Sequence, residues 1–114
     1  MDDEPQLIAL VTRYLERLGY EVIRTETTGE AWARVEPDPG AFPLAIIDLT
    51  MPGLGGEELA RRMLAAHRET RVLLTSGYAA DVRALERDFP GRAAFLQKPF
   101  NGDRLGEALR RLGG

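Results

Sequence analysis

The run Leu44-Ala45-Ile46-Ile47, which ends on Asp48, constrains the fold of this chain more than any other segment. Its four apolar residues follow one another without the polar alternation of a strand that has one solvated face. Such a run is typical of a parallel sheet that helices cover on both faces. The sequence therefore predicts an α/β domain, with Asp48 at the carboxyl end of a buried strand.

The rest of the chain alternates between helical and strand patterns. Strands are predicted at 20–24, 71–75 and 93–96 in addition to 44–47, with helices before, between and after them. This order is typical of a doubly wound sheet, in which ligands bind at the carboxyl ends of the strands.

Two of the predicted helices carry clear apolar faces. The first begins near Pro5, ends at Gly19 and turns one set of side chains inward: Leu7, Ile8, Val11, Leu15 and Leu18. The helix over 80–89 turns another set inward: Val82, Leu85 and Phe89. A final helix is capped by Asn101.

Composition narrows the class of protein. The 114 residues are expected to form one domain, 1–114, with a real core. A net charge of −3 gives no electrostatic basis for binding nucleic acid or an anionic membrane, and no apolar stretch approaches the ~20 residues of a membrane span. Cysteine is absent, and the acidic start is the reverse of a secretory signal. We therefore expect a cytoplasmic protein that contacts neither nucleic acid nor membrane.

Polar residues follow the predicted strands. They are Asp48, Thr75 with Ser76, and Lys98, while Asp2 and Asp3 would follow a strand that the sequence lacks. A carboxylate can attack phosphorus and form an aspartyl phosphate. Nearby carboxylates repel it, Mg²⁺ relieves that repulsion, and a lysine ammonium neutralises phosphoryl oxygens. This set predicts a site that accepts a phosphoryl group.

Over essentially its whole length, the sequence resembles receiver domains of two-component response regulators. The stretches that carry the likeness are DDEP at 2–5, IIDLTMPGLGGEEL at 46–59, VLLTSGYA at 72–79 and FLQKPF at 95–100. Any one of them is weak, but four in order, each at a strand end, form a strong signal. TSGYA and FLQKPF also resemble receivers of hybrid histidine kinases.

The resemblance implies a flavodoxin-like doubly wound parallel sheet of strand order 2-1-3-4-5, here without its first strand. It places the phosphoacceptor on Asp48. The implied Mg²⁺ ligands are Asp48, Asp3, the main-chain carbonyl of Thr50 and, through water, Asp2. The implied function is a switch, not an enzyme, which takes a phosphoryl group from a histidine kinase or a phosphotransfer domain and at most promotes its own phosphorylation and dephosphorylation.

Further roles follow from the same resemblance. The switch hydroxyl falls on Ser76 rather than Thr75, because a small residue follows Ser76 as in the family. The phosphate-neutralising lysine falls on Lys98, whose bond to Pro99 is expected to be cis. The aromatic switch position falls on Phe95.

Other interpretations remain open. The chain could be an interaction module that keeps the fold without phosphorylation, and the missing strand favours that alternative. Asp48-Leu49-Thr50 also resembles the nucleophile segment of haloacid-dehalogenase-like phosphatases, but these enzymes require a second aspartate at the position that Thr50 occupies. Phe95 could be simple core, Trp32 is expected to serve packing, and His67 is expected to be solvated.

The missing strand has a predicted energetic cost. Receivers carry several apolar residues before the acidic pair, so we expect that this strand was cut off when the start of the chain was assigned. Losing about four buried apolar side chains would cost on the order of 6–12 kcal/mol. Whole domains are stable by only ~5–15 kcal/mol. Residues 1–114 alone are therefore predicted to be partly molten, to re-pair their strands, or to form a homodimer by strand swapping, with Asp2 and Asp3 mobile.

Overall fold

The computed structural model describes residues 4–25, 27–49, 55–77 and 82–112. Helices in these ranges are α1 (Glu4–Arg17), α2 (Thr28–Val35), α3 (Gly56–Ala66), α4 (Arg83–Asp88) and α5 (Gly102–Arg111). Strands are β1 (Leu44–Asp48), β2 (Arg71–Ser76) and β3 (Ala93–Gln97), and a short 3-10 helix spans Pro39–Ala41. Within the same ranges, no helix combines the length and the apolarity that crossing a membrane requires.

The strands form one parallel sheet in the order β1-β2-β3. β2 is the inner strand and is buried from Val72 to Ser76. Its neighbours pair with it in register, so that Asp48 lies opposite Thr75 and Ser76 lies opposite Gln97. The predicted α/β fold with a parallel sheet is confirmed, and these three strands lie within one residue of their predicted bounds.

Helices cover both faces of this sheet. On one face, which we call the α1/α5 face, side chains of both helices pack against Leu73 and Leu96. On the other, the α2/α3/α4 face, helix side chains pack against Val72 and Leu74. Successive residues of β2 point to opposite faces, so its apolar run supplies both halves of the core. A buried parallel strand needs apolar residues at every position for this reason.

The prediction of a strand at 20–24 was wrong, because these residues have no strand pairing in the structure. No strand lies between them and β1 in the described ranges, so this segment has no neighbouring strand with which to form a ladder. Strand propensity in Val22 and Ile23 cannot substitute for a partner, since isolated extended segments are not stable in water. The described strands have not re-paired to close this gap.

The first helix ends earlier than its apolar pattern predicts. α1 stops at Arg17, and Gly19 adopts a left-handed φ of 94°, which turns the chain away. The side chain of Leu18 therefore lies outside the helix and is 57% exposed, so its predicted inward position was wrong. Ile8 is also 36% exposed, whereas Leu15 is buried as predicted.

The fourth helix is shorter than predicted. It spans Arg83–Asp88, while residues 80–81 lie outside the described ranges. Val82 and Leu85 are buried, as predicted, and Phe89 is half-buried against the α2/α3/α4 face. Asn101 caps α5 as predicted, because its side chain accepts a hydrogen bond from the Arg104 N–H.

Arg92 connects the end of α3 to β3, a role that no sequence pattern indicated. Its guanidinium donates hydrogen bonds to the carbonyl oxygens of Leu64, His67 and Thr70. Carbonyls at a helix C-terminus lack partners within the helix, so a cation there satisfies them and complements the helix dipole. Burial, together with the charge of Arg71, lowers the pKa of Arg92 below its ordinary value.

Candidate functional site

Asp48 and Lys98 meet at the carboxyl edge of the sheet. Asp48 is the last residue of β1 and Lys98 follows β3, yet Lys98 Nζ lies 2.7 Å from Asp48 Oδ2. The side chains are largely enclosed, with 12% of Lys98 and 23% of Asp48 exposed. Water screens an enclosed pair less than a surface pair, so the attraction is stronger here. The remaining exposure of Asp48 leaves its carboxylate accessible to a small reactant.

Backbone carbonyls at the carboxyl end of β2 accept hydrogen bonds from the residues that directly follow β1 and β3. The carbonyl of Thr75 accepts a hydrogen bond of 2.8 Å from the N–H of Leu49, directly after β1. The carbonyl of Ser76 accepts one of 2.7 Å from the N–H of Lys98, directly after β3. The Lys98–Pro99 peptide bond is cis, which is the geometry that the resemblance implied. These backbone contacts fix the point from which the Lys98 side chain reaches Asp48.

Two buried hydroxyls lie at this end of β2. Thr75 is the register partner of Asp48, and both border the same cavity together with Lys98. Ser76 is fully buried and, by the alternation along β2, faces the α2/α3/α4 side. The sequence placed Thr75 among the polar residues at the strand ends but assigned the switch hydroxyl to Ser76; the position of Thr75 opposite Asp48 follows once the register of the two strands is known. The end of β2 therefore offers one hydroxyl to each face of the sheet.

Phe95 lies on β3, opposite Leu74. Because opposite residues share a face, Phe95 lies on the same side of the sheet as Ser76. It is half-buried against the α2/α3/α4 face, and its carbonyl accepts a 3.4 Å hydrogen bond from Arg111. Phe95 thus packs against the core on the same side of the sheet as Ser76.

Several predicted site residues lie outside the described ranges. These are Asp2, Asp3 and Thr50. Among the residues that the structure does describe, no group of three or more histidine, cysteine, aspartate or glutamate side chains could hold a metal ion. Asp48 is the one implied Mg²⁺ ligand in the described ranges, and its carboxylate is the hard oxygen donor that Mg²⁺ prefers.

The structure confirms the interpretation of Trp32 but not that of His67. Trp32 is partly buried against the core, with the Arg62 guanidinium 5.9 Å from its ring centroid, so its predicted packing role is confirmed. His67 is half-buried at the end of α3, and its Nδ1 accepts a hydrogen bond from the Glu69 N–H. It is therefore less solvated than predicted.

Known proteins share this arrangement of sequence and fold. Residues 1–110 match the family model described as the response regulator receiver domain. The response regulator receiver protein CpdR of Brucella abortus is 30% identical over 100 residues, which cover 88% of this chain and 82% of that protein. Other curated relatives are longer, and the chain spans 24–44% of their length.

Solved structures of response regulators share the fold of this chain. A CheY-like response regulator receiver domain protein from Methanospirillum hungatei superposes with a TM-score of 0.75 at 28% identity, over 96% of this chain and 86% of that one. A response regulator from Burkholderia pseudomallei, with a phosphorylated aspartic acid, a calcium ion and citrate, has a TM-score of 0.69 at 28% identity, over 95% of this chain and 62% of that one. Since the family model covers nearly the whole sequence, the chain belongs to the response regulator receiver domain family of two-component systems.

Proposed function

We propose that this domain accepts a phosphoryl group on Asp48 and changes conformation in response. The observation that carries the proposal is the contact of 2.7 Å between Lys98 Nζ and Asp48 Oδ2 at the carboxyl edge of the sheet. A partly exposed carboxylate beside an enclosed ammonium combines a nucleophile with a fixed positive charge. The Burkholderia pseudomallei relative, which carries a phosphorylated aspartic acid, supports the same chemistry.

The transfer is a displacement at phosphorus. A carboxylate oxygen of Asp48 attacks the phosphorus of a phosphohistidine on a histidine kinase or a phosphotransfer domain. The new O–P bond forms as the N–P bond breaks, and the imidazole leaves with the electron pair of that bond. The product is an aspartyl phosphate, whose added negative charge the Lys98 ammonium offsets without having to move into place.

Ser76 and Phe95 are proposed to transmit the change. The Ser76 hydroxyl would donate a hydrogen bond to a phosphoryl oxygen on Asp48. Phe95 shares a face of the sheet with Ser76, and this shared face supports the proposal that a movement at Ser76 would be passed on to that ring. Thr75 borders the same cavity as Asp48, and its methyl and hydroxyl groups would instead shape the entrance to the carboxylate.

Mg²⁺ is the proposed cofactor. When bound, it would neutralise phosphoryl oxygens and relieve repulsion among carboxylates. Asp48, Asp3 and the carbonyl of Thr50 would hold it, with Asp2 acting through water. Asp48 supplies the oxygen chemistry that this ion requires.

The proposal is tested by incubating the chain with acetyl phosphate and Mg²⁺ and mapping the added mass by peptide mass spectrometry. We expect one phosphoryl group on Asp48 and background labelling after Asp48→Asn, which is nearly isosteric. Asp38→Asn, which removes an exposed loop carboxylate, is the matched control and should label normally. Undiminished labelling of the Asp48→Asn variant would assign the acceptor elsewhere.

Two variants distinguish the proposed roles of the Ser76 and Thr75 hydroxyls. Ser76→Ala should weaken the response of the Phe95 resonances to phosphorylation, whereas Thr75→Val should leave that response intact. The reverse result would move the switch role to Thr75. Absence of any adduct on the unaltered chain would favour the interaction module without phosphorylation, and multiple turnovers of phosphate monoesters would favour a hydrolase.

A further inference from the structure

Thr75 carries a hydroxyl into the apolar α1/α5 face of the sheet. Its register partners are Asp48 on one side and Leu96 on the other. Leu73, the preceding residue of β2 on the same face, packs in the core beneath α1 and α5 together with Leu96. Thr75 itself is buried, with 5% of its surface exposed. Of these three neighbours, Asp48 is the polar one.

Two features place the side chains of Asp48 and Thr75 on the same face. The residues are directly opposite each other in the register of β1 and β2, and opposite residues share a face. Leu44 and Ile46, which precede Asp48 at alternate positions of β1, also pack on the α1/α5 face. Adjacent strands lie about 4.8 Å apart, so these two short side chains lie side by side. Ser76, by the same alternation, points to the other face.

Strand formation does not by itself account for the hydroxyl of Thr75. Valine has nearly the same shape, favours strands as much, and suits apolar neighbours better, because a buried hydroxyl without a partner costs free energy. Rotation about the Cα–Cβ bond can turn the hydroxyl toward the neighbouring carboxylate. Asp48, Thr75 and Lys98 border one cavity, so the hydroxyl and the ammonium approach the carboxylate from the same region.

The carboxylate of Asp48 changes its charge when an aspartyl phosphate is hydrolysed. The oxygen of a water molecule attacks phosphorus, the bond from phosphorus to the Asp48 oxygen breaks, and the carboxylate leaves with the electron pair of that bond. Both protons of the water depart with inorganic phosphate. The leaving oxygen gains negative charge, so a hydroxyl donor beside it stabilises the transition state more than it stabilises the aspartyl phosphate.

We propose that the Thr75 hydroxyl donates a hydrogen bond to the Asp48 carboxylate as the phosphoryl group leaves, and so shortens the lifetime of the aspartyl phosphate. This inference rests on the proposed phosphorylation of Asp48 and extends it to the step that ends the signal. The two hydroxyls at the end of β2 then have opposite effects. Ser76 holds the phosphoryl group in place, whereas Thr75 favours its loss.

The test follows the loss of the phosphoryl group from the full chain, in the presence of Mg²⁺, after acetyl phosphate has been removed. In Thr75→Val, the half-life of the label should lengthen by about five- to tenfold, because a hydrogen bond to a developing charge is lost. Thr75→Ser keeps the hydroxyl and should restore the half-life to within about twofold of the unaltered chain. Equal half-lives in Thr75→Val and the unaltered chain would overturn the proposal.

Thr75→Ala separates the hydroxyl from the shape of the side chain. It removes the hydroxyl and the methyl group together, so a half-life as long as that of Thr75→Val supports the hydrogen bond. A half-life as short as that of the unaltered chain would mean that the methyl groups of valine keep water away from phosphorus, and would overturn the proposal.

Thr70→Val is the matched control. Thr70 is also buried but precedes β2 at the opposite edge of the sheet, where its hydroxyl donates a hydrogen bond of 3.3 Å to the Phe42 carbonyl. This variant should lower Tm and leave the half-life unchanged. An equal lengthening of the half-life in Thr70→Val would assign the effect to lost stability and would overturn the role of Thr75.

Failure of the proposed function gives a different result. An unaltered chain that takes up no phosphoryl group would overturn the proposed function and this inference with it. A chain that is labelled on Asp48 but keeps the same half-life in all Thr75 variants would overturn this inference alone. A longer half-life in Thr75→Val, with a normal response of the Phe95 resonances, assigns the loss step to Thr75 and leaves the switch with Ser76.

Discussion

Replacing Arg92 by methionine should destabilise the domain strongly, although Arg92 lies far from the proposed chemistry. Its guanidinium satisfies three carbonyl oxygens, those of Leu64, His67 and Thr70, and packs 5.6 Å from the Phe89 ring centroid. Hydrogen bonds to a charged group contribute about 1.5–3 kcal/mol each. Arg92 is half-buried, so water replaces part of the loss, and we expect a decrease of about 2–4 kcal/mol in the free energy of unfolding.

Thermal and urea unfolding followed by circular dichroism measure this change. A loss of that size lowers Tm by about 8 °C or more in a domain of this length. The Tm of Arg92→Lys should lie between that of the unaltered chain and that of Arg92→Met, because one ammonium cannot reach three carbonyls as a planar guanidinium does. Arg87→Met is the control, since Arg87 is 76% exposed and its pair with Asp88 spans 3.8 Å. A Tm for Arg92→Met within about 2 °C of the Arg87→Met control would refute the reasoning.

Two further predictions concern the site and the helix packing. Lys98→Ala should retain Mg²⁺ binding but weaken the coupling of phosphorylation to conformation, and nuclear magnetic resonance shifts near Phe95 that respond normally would count against this role. Gly106→Ala should destabilise the domain, because the new Cβ would meet the Tyr14 hydroxyl where α1 and α5 pack. In a Tyr14→Ala background, Gly106→Ala should instead stabilise the domain by up to about 1 kcal/mol, which is the difference in helix propensity between glycine and alanine. Equal changes in stability in the two backgrounds would show that the Tyr14 hydroxyl does not limit the space at Gly106.

The strands that could be predicted from sequence are those whose apolar runs reflect burial on both faces. Residues 44–48, 71–76 and 93–97 pair as expected, because continuous apolar runs have few other solutions in a domain of this size. The segment 20–24 shows the limit of that reasoning. Its pattern is suitable for a strand, but a strand exists only with a partner, and the pattern carries no information on the partner.

The candidate site was predictable in part. Parallel strands bring their carboxyl ends to one edge, so the proximity of Asp48 and Lys98 follows from the order of elements. The assignment of roles came from the family resemblance, since spacing alone does not distinguish Ser76 from Thr75. Arg92 could not have been found, because its three carbonyl partners lie 22–28 residues away in the sequence and meet it only through tertiary packing.

The cavity that Asp48, Thr75 and Lys98 border makes packing and chemistry dependent on each other. It extends along the whole of β1, so an apolar group that fills it also replaces water beside the ion pair of Asp48 and Lys98. At 4 Å, two unit charges attract by about 1 kcal/mol in water and about 4 kcal/mol at an effective dielectric constant of 20. Filling the cavity would therefore strengthen the attraction of Lys98 for the carboxylate and limit the movement of Asp48 at the end of β1. A carboxylate held in place beside a fixed ammonium needs less reorganisation when a phosphoryl group arrives, so packing along β1 would also prepare the acceptor.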